Sequence, residues 1–139
     1  EVVRTALSVA QLEDIGRAFS NVTVEGQVLL AEVRGDYSSE LLSVLADFLL
    51  RLQEVTFVAV LAVGGNSFRI SVRTRDQELD AGYIIHKALK GIGTGGGHPH
   101  MAGGVIRAAE YPGSDGFIRR IIEGIEYNRR KNETDSQTD

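Results

Sequence analysis

The sequence predicts a single α/β domain in which a mixed sheet of four to five strands is flanked by about four helices. Its 139 residues are enough to bury a core within one domain. Apolar side chains recur at helical spacing in four segments, and segments rich in β-branched or continuous apolar residues lie between them. This alternation is typical of a sheet with helices packed on its faces.

The first half of the chain predicts two helices and two strands. Ser8 and Gln11 have the spacing of a capping box, which predicts the start of a helix. Residues 22–33 are rich in β-branched side chains and predict one strand with a kink at its single glycine. Residues 37–52 carry a broad apolar stripe typical of a helix. The continuous apolar run 56–63 predicts a strand buried on both faces.

The second half begins with a predicted hairpin and a third helix. Residues 64–66 are Gly-Gly-Asn, a turn signal, and the alternating stretch that follows them predicts a second strand paired with the first. Residues 76–91 predict a helix with Asp76 as its N-cap. Gly91 is the residue type that commonly ends a helix, so we expect the helix to stop there.

The predicted domain covers residues 22–127, and it is completed by a short strand at 102–109 and a helix at 114–127. Residues 1–21 contain the first helix, which we expect to end a linker from an upstream segment, since the chain starts without methionine. Residues 128–139 are polar and lack apolar anchors, which predicts a disordered tail.

The composition restricts the kind of partner and compartment. A net charge of −4 gives no bulk attraction to nucleic acid, so an anionic ligand needs a local positive patch. No apolar run is long enough for a membrane helix and no signal peptide opens the chain, so we expect no membrane partner. The chain has no cysteine, which excludes disulfides and thiolate metal sites and favours a cytoplasmic location.

The segment 91–104, GIGTGGGHPHMAGG, predicts a glycine-rich loop. Gly91, Gly93 and Gly96 match the dinucleotide-binding pattern, but that fingerprint needs a strand before it and a helix after it. Here a predicted helix precedes the segment and a predicted strand follows it, which excludes the pattern. His98 and a second histidine two residues later are too few ligands for a metal site.

Binding is the chemistry that remains, because no serine stands in a nucleophile elbow and no acidic pair lies near His98 in the sequence. Successive glycine N–H groups can form a concave anion-binding nest, and His98 adds another donor. The alternative is that the glycines only provide backbone conformations with positive φ.

The predicted strand SFRISVRTR favours the anion-binding interpretation. Alternation places Arg69, Ser71, Arg73 and Arg75 on one face of this strand. Guanidinium groups bind phosphate through paired N–H donors. The alternative is a solvated sheet face, but together with the glycine segment the arginines predict phosphate binding.

The motif GTGGGHPHMAGGVI, preceded by SVRTR and by a helix opening LDAG, resembles the DHH-associated C-terminal domain of DHH-superfamily phosphoesterases. The resemblance is to the exopolyphosphatase-related and nano-RNase-like group and covers roughly residues 22–125. It implies that the glycine-histidine segment and the S-x-R arginine bind the nucleotide or phosphate of a substrate. The implied binding residues are Ser71, Arg73, Arg75, Gly95, Gly96, Gly97 and His98. Met101 departs from the alanine of many members and leaves the substrate class open.

The resemblance also implies that the catalytic residues lie elsewhere. In that family a separate N-terminal domain with an Asp-His-His motif binds two divalent metals, usually manganese, and no such motif occurs here. We therefore expect no catalytic residue, metal or cofactor site in this chain. The expected partners are that catalytic domain, in the same polypeptide, and a short oligonucleotide, nucleotide or related phosphoester.

Two alternatives stay open. The domain also occurs on alanyl-tRNA synthetases, so it can be a stand-alone module that binds nucleotides or nucleic acid without catalysis. It can also be an oligomerisation domain, a homo-oligomer in which the glycine segment is structural.

Overall fold

The computed structural model describes residues 5–137 and confirms the α/β class, with six strands in place of the predicted four to five. The elements are, in order, α1 (Val9–Ser20), β1 (Thr23–Glu25), β2 (Val28–Arg34), α2 (Ser39–Leu49), β3 (Phe57–Val63), β4 (Ser67–Thr74), α3 (Ala81–Ala88), β5 (Gly93–Gly97), β6 (Met101–Arg107), a short 3₁₀ helix (Ala108–Glu110) and α4 (Ser114–Gln137).

The strands form one open mixed sheet in the order β1-β2-β3-β4-β6-β5. Strands β2 and β3 are parallel and are joined through α2, whereas the other neighbours are antiparallel. The predicted hairpin of β3 and β4 is present, with Val58 opposite Arg73. Strand β5 is therefore an edge of the sheet.

Two helix layers cover the sheet, α1 and α2 on one face and α3 and α4 on the other. Helix α1 opens with the predicted capping box at Ser8 and Gln11 and buries Ile15 and Ala18. Strand β3 sends alternate side chains into both cores and is almost wholly buried, as its apolar run predicts. The α1–α2 core receives Val58, Val60 and Ala62, and the α3–α4 core receives Phe57, Ala59 and Leu61.

Residues 22–33 form two antiparallel strands where the sequence pattern predicts one kinked strand. Gly26 has a φ of 60° in the turn between β1 and β2, a backbone region that favours glycine. Because the chain reverses at this residue, Glu25 pairs with Val28. The prediction of one strand is wrong here. A kinked strand and two strands joined by a tight turn have the same β-branched composition on both sides of the glycine, so composition does not distinguish them.

Helix α3 begins later than predicted. Its N-cap is Asp80, whose Oδ1 accepts a hydrogen bond from the Tyr83 N–H at 3.1 Å. Asp76, the predicted cap, instead accepts from the Glu78 N–H at 2.9 Å in the loop before the helix. Both aspartates have a local sequence suitable for an N-cap. The backbone of Asp80, the actual N-cap, also contacts α4, since its N–H donates to the Asn128 side chain.

The glycine-rich segment is a β-hairpin, not the predicted loop, because its glycines let α3 pack closely on β5 and β6. Gly91 has a φ of 86° just after α3, and the next residues turn into β5. A Cβ added to Gly95 would lie 2.7 Å from the Leu89 Cδ1 atom, and one added to Gly104 would lie 2.8 Å from it. Several glycines are therefore required by packing.

Helix α4 continues over residues 128–137, where the sequence analysis predicts disorder. Asn128 is buried and accepts a hydrogen bond from the Asp80 N–H at 2.9 Å. Arg129 forms a salt bridge with Asp76 at 3.0 Å, and the Asn132 side chain donates to the Glu78 carbonyl at 2.6 Å. Polar contacts replace the apolar anchors that the prediction required, while residues 138–139 lie outside the described part.

Candidate functional site

A cleft of about 540 Å³ lies on the sheet face that carries α2. Helix α2 packs on β3 and β4 and leaves β6 and β5 uncovered on this face, so Met101 and Val105 of β6 are 46% and 41% exposed. The cleft is lined by Ser39, Ser43, residues 69–71, Arg73, residues 94–98 and residues 101–105.

Strand β4 supplies the polar wall of the cleft. Its alternate residues Ile70 and Val72 are buried in the core under α3 and α4. The intervening residues Arg69, Ser71 and Arg73 therefore face α2 and the cleft, as the alternating sequence predicts.

The Arg73 guanidinium is held in place by hydrogen bonds to α2 and to the backbone of β4. Its Nε donates to the Asp47 Oδ1 of α2 at 2.9 Å, and its Nη1 donates to the Val72 carbonyl at 3.0 Å. The Arg73 side chain is only 11% exposed, whereas that of Asp47 is 63% exposed. These bonds use Nε and Nη1, whereas Nη2 forms no hydrogen bond with residues 5–137.

Helix α2 contributes a polar stripe that faces the arginines. The Ser43 hydroxyl lies 3.2 Å from the Ser71 hydroxyl, and Ser39 lines the same cleft one turn earlier. Ser39, Ser43 and Asp47 are spaced by four residues, which places them on one side of a helix. None of these three residues was predicted from the sequence, and their regular spacing inside an apolar helix is the signal that could have identified them.

The floor of the cleft is backbone. Gly96 of β5 pairs with Gly103 of β6, which in turn pairs with Ser71 of β4, so the three residues share the cleft face. An added Cβ at Gly96 would meet no atom within 4 Å. Gly95 and Gly97 alternate with Gly96 and face α3, so they line the cleft with backbone atoms only. The segment provides a flat surface without side chains, not the concave nest expected of a loop.

His98 stands at the rim, in the turn between β5 and β6. The turn is fixed by two α3 N–H groups, since Ala81 donates to the Pro99 carbonyl at 2.8 Å and Gly82 donates to the His98 carbonyl at 3.1 Å. The imidazole is exposed and forms no hydrogen bond or ion pair with residues 5–137. Its ring nitrogens are therefore accessible to a ligand at the mouth of the cleft.

The structure brings six of the seven predicted binding residues to this cleft. They are Ser71, Arg73, Gly95, Gly96, Gly97 and His98. Arg75 lies elsewhere, because β4 ends at Thr74 and the side-chain alternation ends with it. The Arg75 guanidinium donates to the carbonyls of Leu50 and Gln53 and stabilises the chain after α2.

Arg69 lies at the opposite end of the wall from Arg73 and was not among the predicted binding residues. It is exposed, and its Nη1 donates to the Tyr37 carbonyl at 2.7 Å. The side-chain alternation of the strand predicts the correct face for Arg69, but this residue lies outside the S-x-R motif. The cleft thus has two guanidinium groups, one at the rim and one largely buried.

The arrangement suits an anionic ligand, since guanidinium, imidazole and hydroxyl donors converge on bare backbone. No three His, Asp or Glu side chains of residues 5–137 are grouped in a way that could hold a metal ion. Among the same residues, no helix is both long and apolar enough to cross a membrane.

Two kinds of similarity place the chain among known proteins. Residues 25–123 match the DHHA1 domain family. An uncharacterised protein of Methanocaldococcus jannaschii is 33% identical over 101 residues, which is 72% of this chain and 20% of that protein. The chain thus spans about a fifth of the length of this relative.

Two solved structures share the fold. An exopolyphosphatase-related protein from Bacteroides fragilis superposes with a TM-score of 0.65 and 19% identity, over 90% of this chain and 36% of that one. The C-Ala domain of alanyl-tRNA synthetase from Aquifex aeolicus superposes with a TM-score of 0.59 and 20% identity, over 76% of this chain and 97% of that domain. The family match covers most of the chain and includes both the arginine strand and the glycine hairpin. The chain therefore belongs to the DHHA1 domain family, the DHH-associated C-terminal domain of DHH-superfamily phosphoesterases.

Proposed function

We propose that this chain is the substrate-binding domain of a DHH-type phosphoesterase and that its cleft binds the phosphate or nucleotide part of the substrate. The observation that carries the proposal is the convergence of Arg73, His98 and the Gly96 backbone on one open cleft. Family membership supports the same assignment, because the converging residues all lie within the matched domain.

The cleft offers a different kind of contact at each position. The Nη2 donors of Arg73 bind a phosphate oxygen, in an orientation fixed by the Asp47 carboxylate. In the hydroxyl pair of Ser43 and Ser71, one hydroxyl donates to the other, and the second donates to another phosphate oxygen. The bare backbone at Gly96 lets a flat group, such as a base or sugar, approach the sheet without meeting a side chain.

Catalysis is assigned to a different domain. The described residues of this chain supply hydrogen-bond donors for a phosphate but no group of metal ligands. We propose that the manganese or other divalent metal implied by the family is held by a DHH domain of a longer polypeptide. The exopolyphosphatase-related structure supports this arrangement, since the present chain corresponds to 36% of that protein.

A second candidate function is a stand-alone nucleotide- or nucleic-acid-binding module. The C-Ala likeness favours it, because 97% of that domain is covered by this fold alone. In this case the same cleft binds its ligand without presenting it to a catalytic domain. Both candidate functions require that the cleft binds a ligand, so a binding experiment tests both of them.

Substitution of Arg73 by alanine tests the assignment directly. Calorimetric titration with adenosine 5′-monophosphate, which carries both a phosphate and a base, should show an affinity about tenfold or more below that of the wild type, because a hydrogen bond to a charged group contributes about 1.5–3 kcal/mol. The fold should survive, since the carboxylate left unpaired at Asp47 is mostly hydrated. Arg34→Ala removes an exposed guanidinium outside the cleft and is the matched control. Equal affinity of Arg73→Ala and the control would refute the assignment.

A further inference from the structure

A groove runs along the outer side of α3 and α4, on the sheet face opposite the cleft. It consists of two adjacent cavities of about 490 and 330 Å³, which share the Tyr127 ring as a common wall. Gly124 of α4 lies against Ile84 of α3, where an added Cβ would come within 3.2 Å of the Ile84 carbonyl, so the two helices pack closely beneath the groove.

The groove concentrates positive charge on an acidic protein. Five cationic side chains line it, and only two carboxylates do. The cations are Lys87, Lys90, Arg120, Arg130 and Lys131, and the carboxylates are Glu123 and Asp135. Since the whole chain has a net charge of −4, this excess of cations creates a local field that attracts an anion against the overall charge.

None of these five cations forms a salt bridge within residues 5–137. Their neighbour Arg129 differs, because it pairs with both Asp76 and Glu78 on the other side of α4. The unpaired Arg130 and Lys131 and the paired Arg129 thus lie on different sides of α4. An anion in the groove would meet charges that no carboxylate already neutralises.

Two tyrosine rings lie among these cations. Tyr83 and Tyr127 have ring centroids 6.5 Å apart, and Tyr127 is 47% exposed. The Lys87 Nζ lies 3.6 Å from the centroid of the Tyr127 ring, and the Lys131 Nζ lies 4.7 Å from that of Tyr83. Each lysine therefore lies over the face of a tyrosine ring that lines the groove.

We propose that this groove is a binding site for single-stranded nucleic acid, separate from the cleft. Phosphates would pair with Lys87, Arg130 and Lys131 and draw these cations off the two tyrosine rings, on which bases then stack, a combination that recurs in proteins that bind single strands without sequence preference. An acidic peptide would use the cations but has no group that needs the rings. The groove shares no residue with the cleft, so the proposal does not rest on the function assigned there.

The test is the fluorescence anisotropy of a labelled twelve-residue oligothymidylate titrated with the 139-residue chain. Tyr127→Leu removes the aromatic face but keeps an apolar side chain, and Lys87→Gln removes one charge at similar length. Since base stacking contributes about 1–3 kcal/mol, Tyr127→Leu should lower the affinity about fivefold or more. Lys87→Gln should also reduce the slope of log affinity against log salt by about 0.7, the effect of one lost phosphate contact on a single strand.

The matched control is Arg119→Gln, which removes an exposed cation of α4 outside the groove. Circular dichroism of each variant separates lost binding from lost structure. The proposal is overturned if both groove variants bind the oligonucleotide as the control does. It is also overturned if only Lys87→Gln weakens binding and polyglutamate displaces the oligonucleotide equally well, since the groove would then be a general polyanion site.

Discussion

Arg73 is the residue on which the chemistry of the cleft depends most. Its guanidinium is buried against the sheet and lines the cleft, Asp47 and the Val72 carbonyl bind its Nε and Nη1, and its Nη2 forms no hydrogen bond with residues 5–137. An arginine fixed in this way loses little side-chain entropy when it binds an anion. The sequence could predict Arg73 from its motif, but not Asp47, which lies 26 positions away and meets it only in the folded chain.

Arg75 shows where a reliable local rule stops. Alternation along a strand places every second side chain on one face, and Arg69, Ser71 and Arg73 follow that rule. The strand ends at Thr74, so the rule no longer holds for Arg75, which instead binds backbone carbonyls after α2. The end of a strand depends on long-range pairing, and the local sequence does not specify it.

We expect substitution of His98 to weaken ligand binding without lowering the stability of the fold. The imidazole is exposed and forms no hydrogen bond with residues 5–137, so His98→Ala should leave the thermal midpoint within about 2 °C of the wild type, as for other surface changes. The affinity of the variant for adenosine 5′-monophosphate should fall several-fold, because the imidazole no longer donates a hydrogen bond to the ligand. Calorimetric titration and a thermal melt measure the two effects. Unchanged affinity in the variant would remove His98 from the site.

At the scale of elements, the hairpin of β5 and β6 shows why composition can mislead. Glycine has a low strand propensity, so a segment with seven glycines in fourteen residues predicts a loop. The strand forms because α3 packs directly over it, with Leu89 lying against Gly95 and Gly104. Tertiary packing therefore overrides local propensity, and the glycines that looked unsuited to a strand are required by it.

Adjacent glycines of β5 should respond oppositely to alanine. A Cβ at Gly95 would lie 2.7 Å from Leu89 Cδ1 and 2.8 Å from the Gly103 carbonyl, so Gly95→Ala should cost about 1–3 kcal/mol in free energy of unfolding. A Cβ at Gly96 would meet nothing within 4 Å, so Gly96→Ala should fold normally. Its new methyl group would stand on the cleft floor and should weaken nucleotide binding.

Urea denaturation and calorimetric titration of the two variants check this contrast, and each variant is the control for the other. A stable Gly95→Ala together with a destabilised Gly96→Ala would mean that the two faces of β5 are assigned the wrong way round.

At the scale of the whole molecule, the sequence was sufficient for the fold class and insufficient for the architecture. The parallel pair β2 and β3 and the buried centre of the sheet follow from strand–helix–strand order and apolar runs. The position of β6 between β4 and β5 does not follow from local patterns. Consecutive strands often pair, whereas here β6 separates β4 from β5. The cleft depends on that order, since it brings Gly103 next to Ser71.

We also expect the isolated chain to be catalytically inactive. Purified protein supplied with manganese should not release p-nitrophenol from bis-p-nitrophenyl phosphate above the rate of buffer with manganese, because its described residues provide no group of metal ligands. Turnover that copurifies with the protein and is lost in Arg73→Ala would contradict the assignment of catalysis to another domain.

The most direct test of the central claim is an amide ¹H–¹⁵N spectrum of the chain titrated with adenosine 5′-monophosphate. If the cleft binds the nucleotide, the largest shifts should come from Ser71, Arg73 and the backbone of residues 95–98, with α1 unchanged. Shifts confined to residues outside the cleft, or no shifts at millimolar nucleotide, would contradict it.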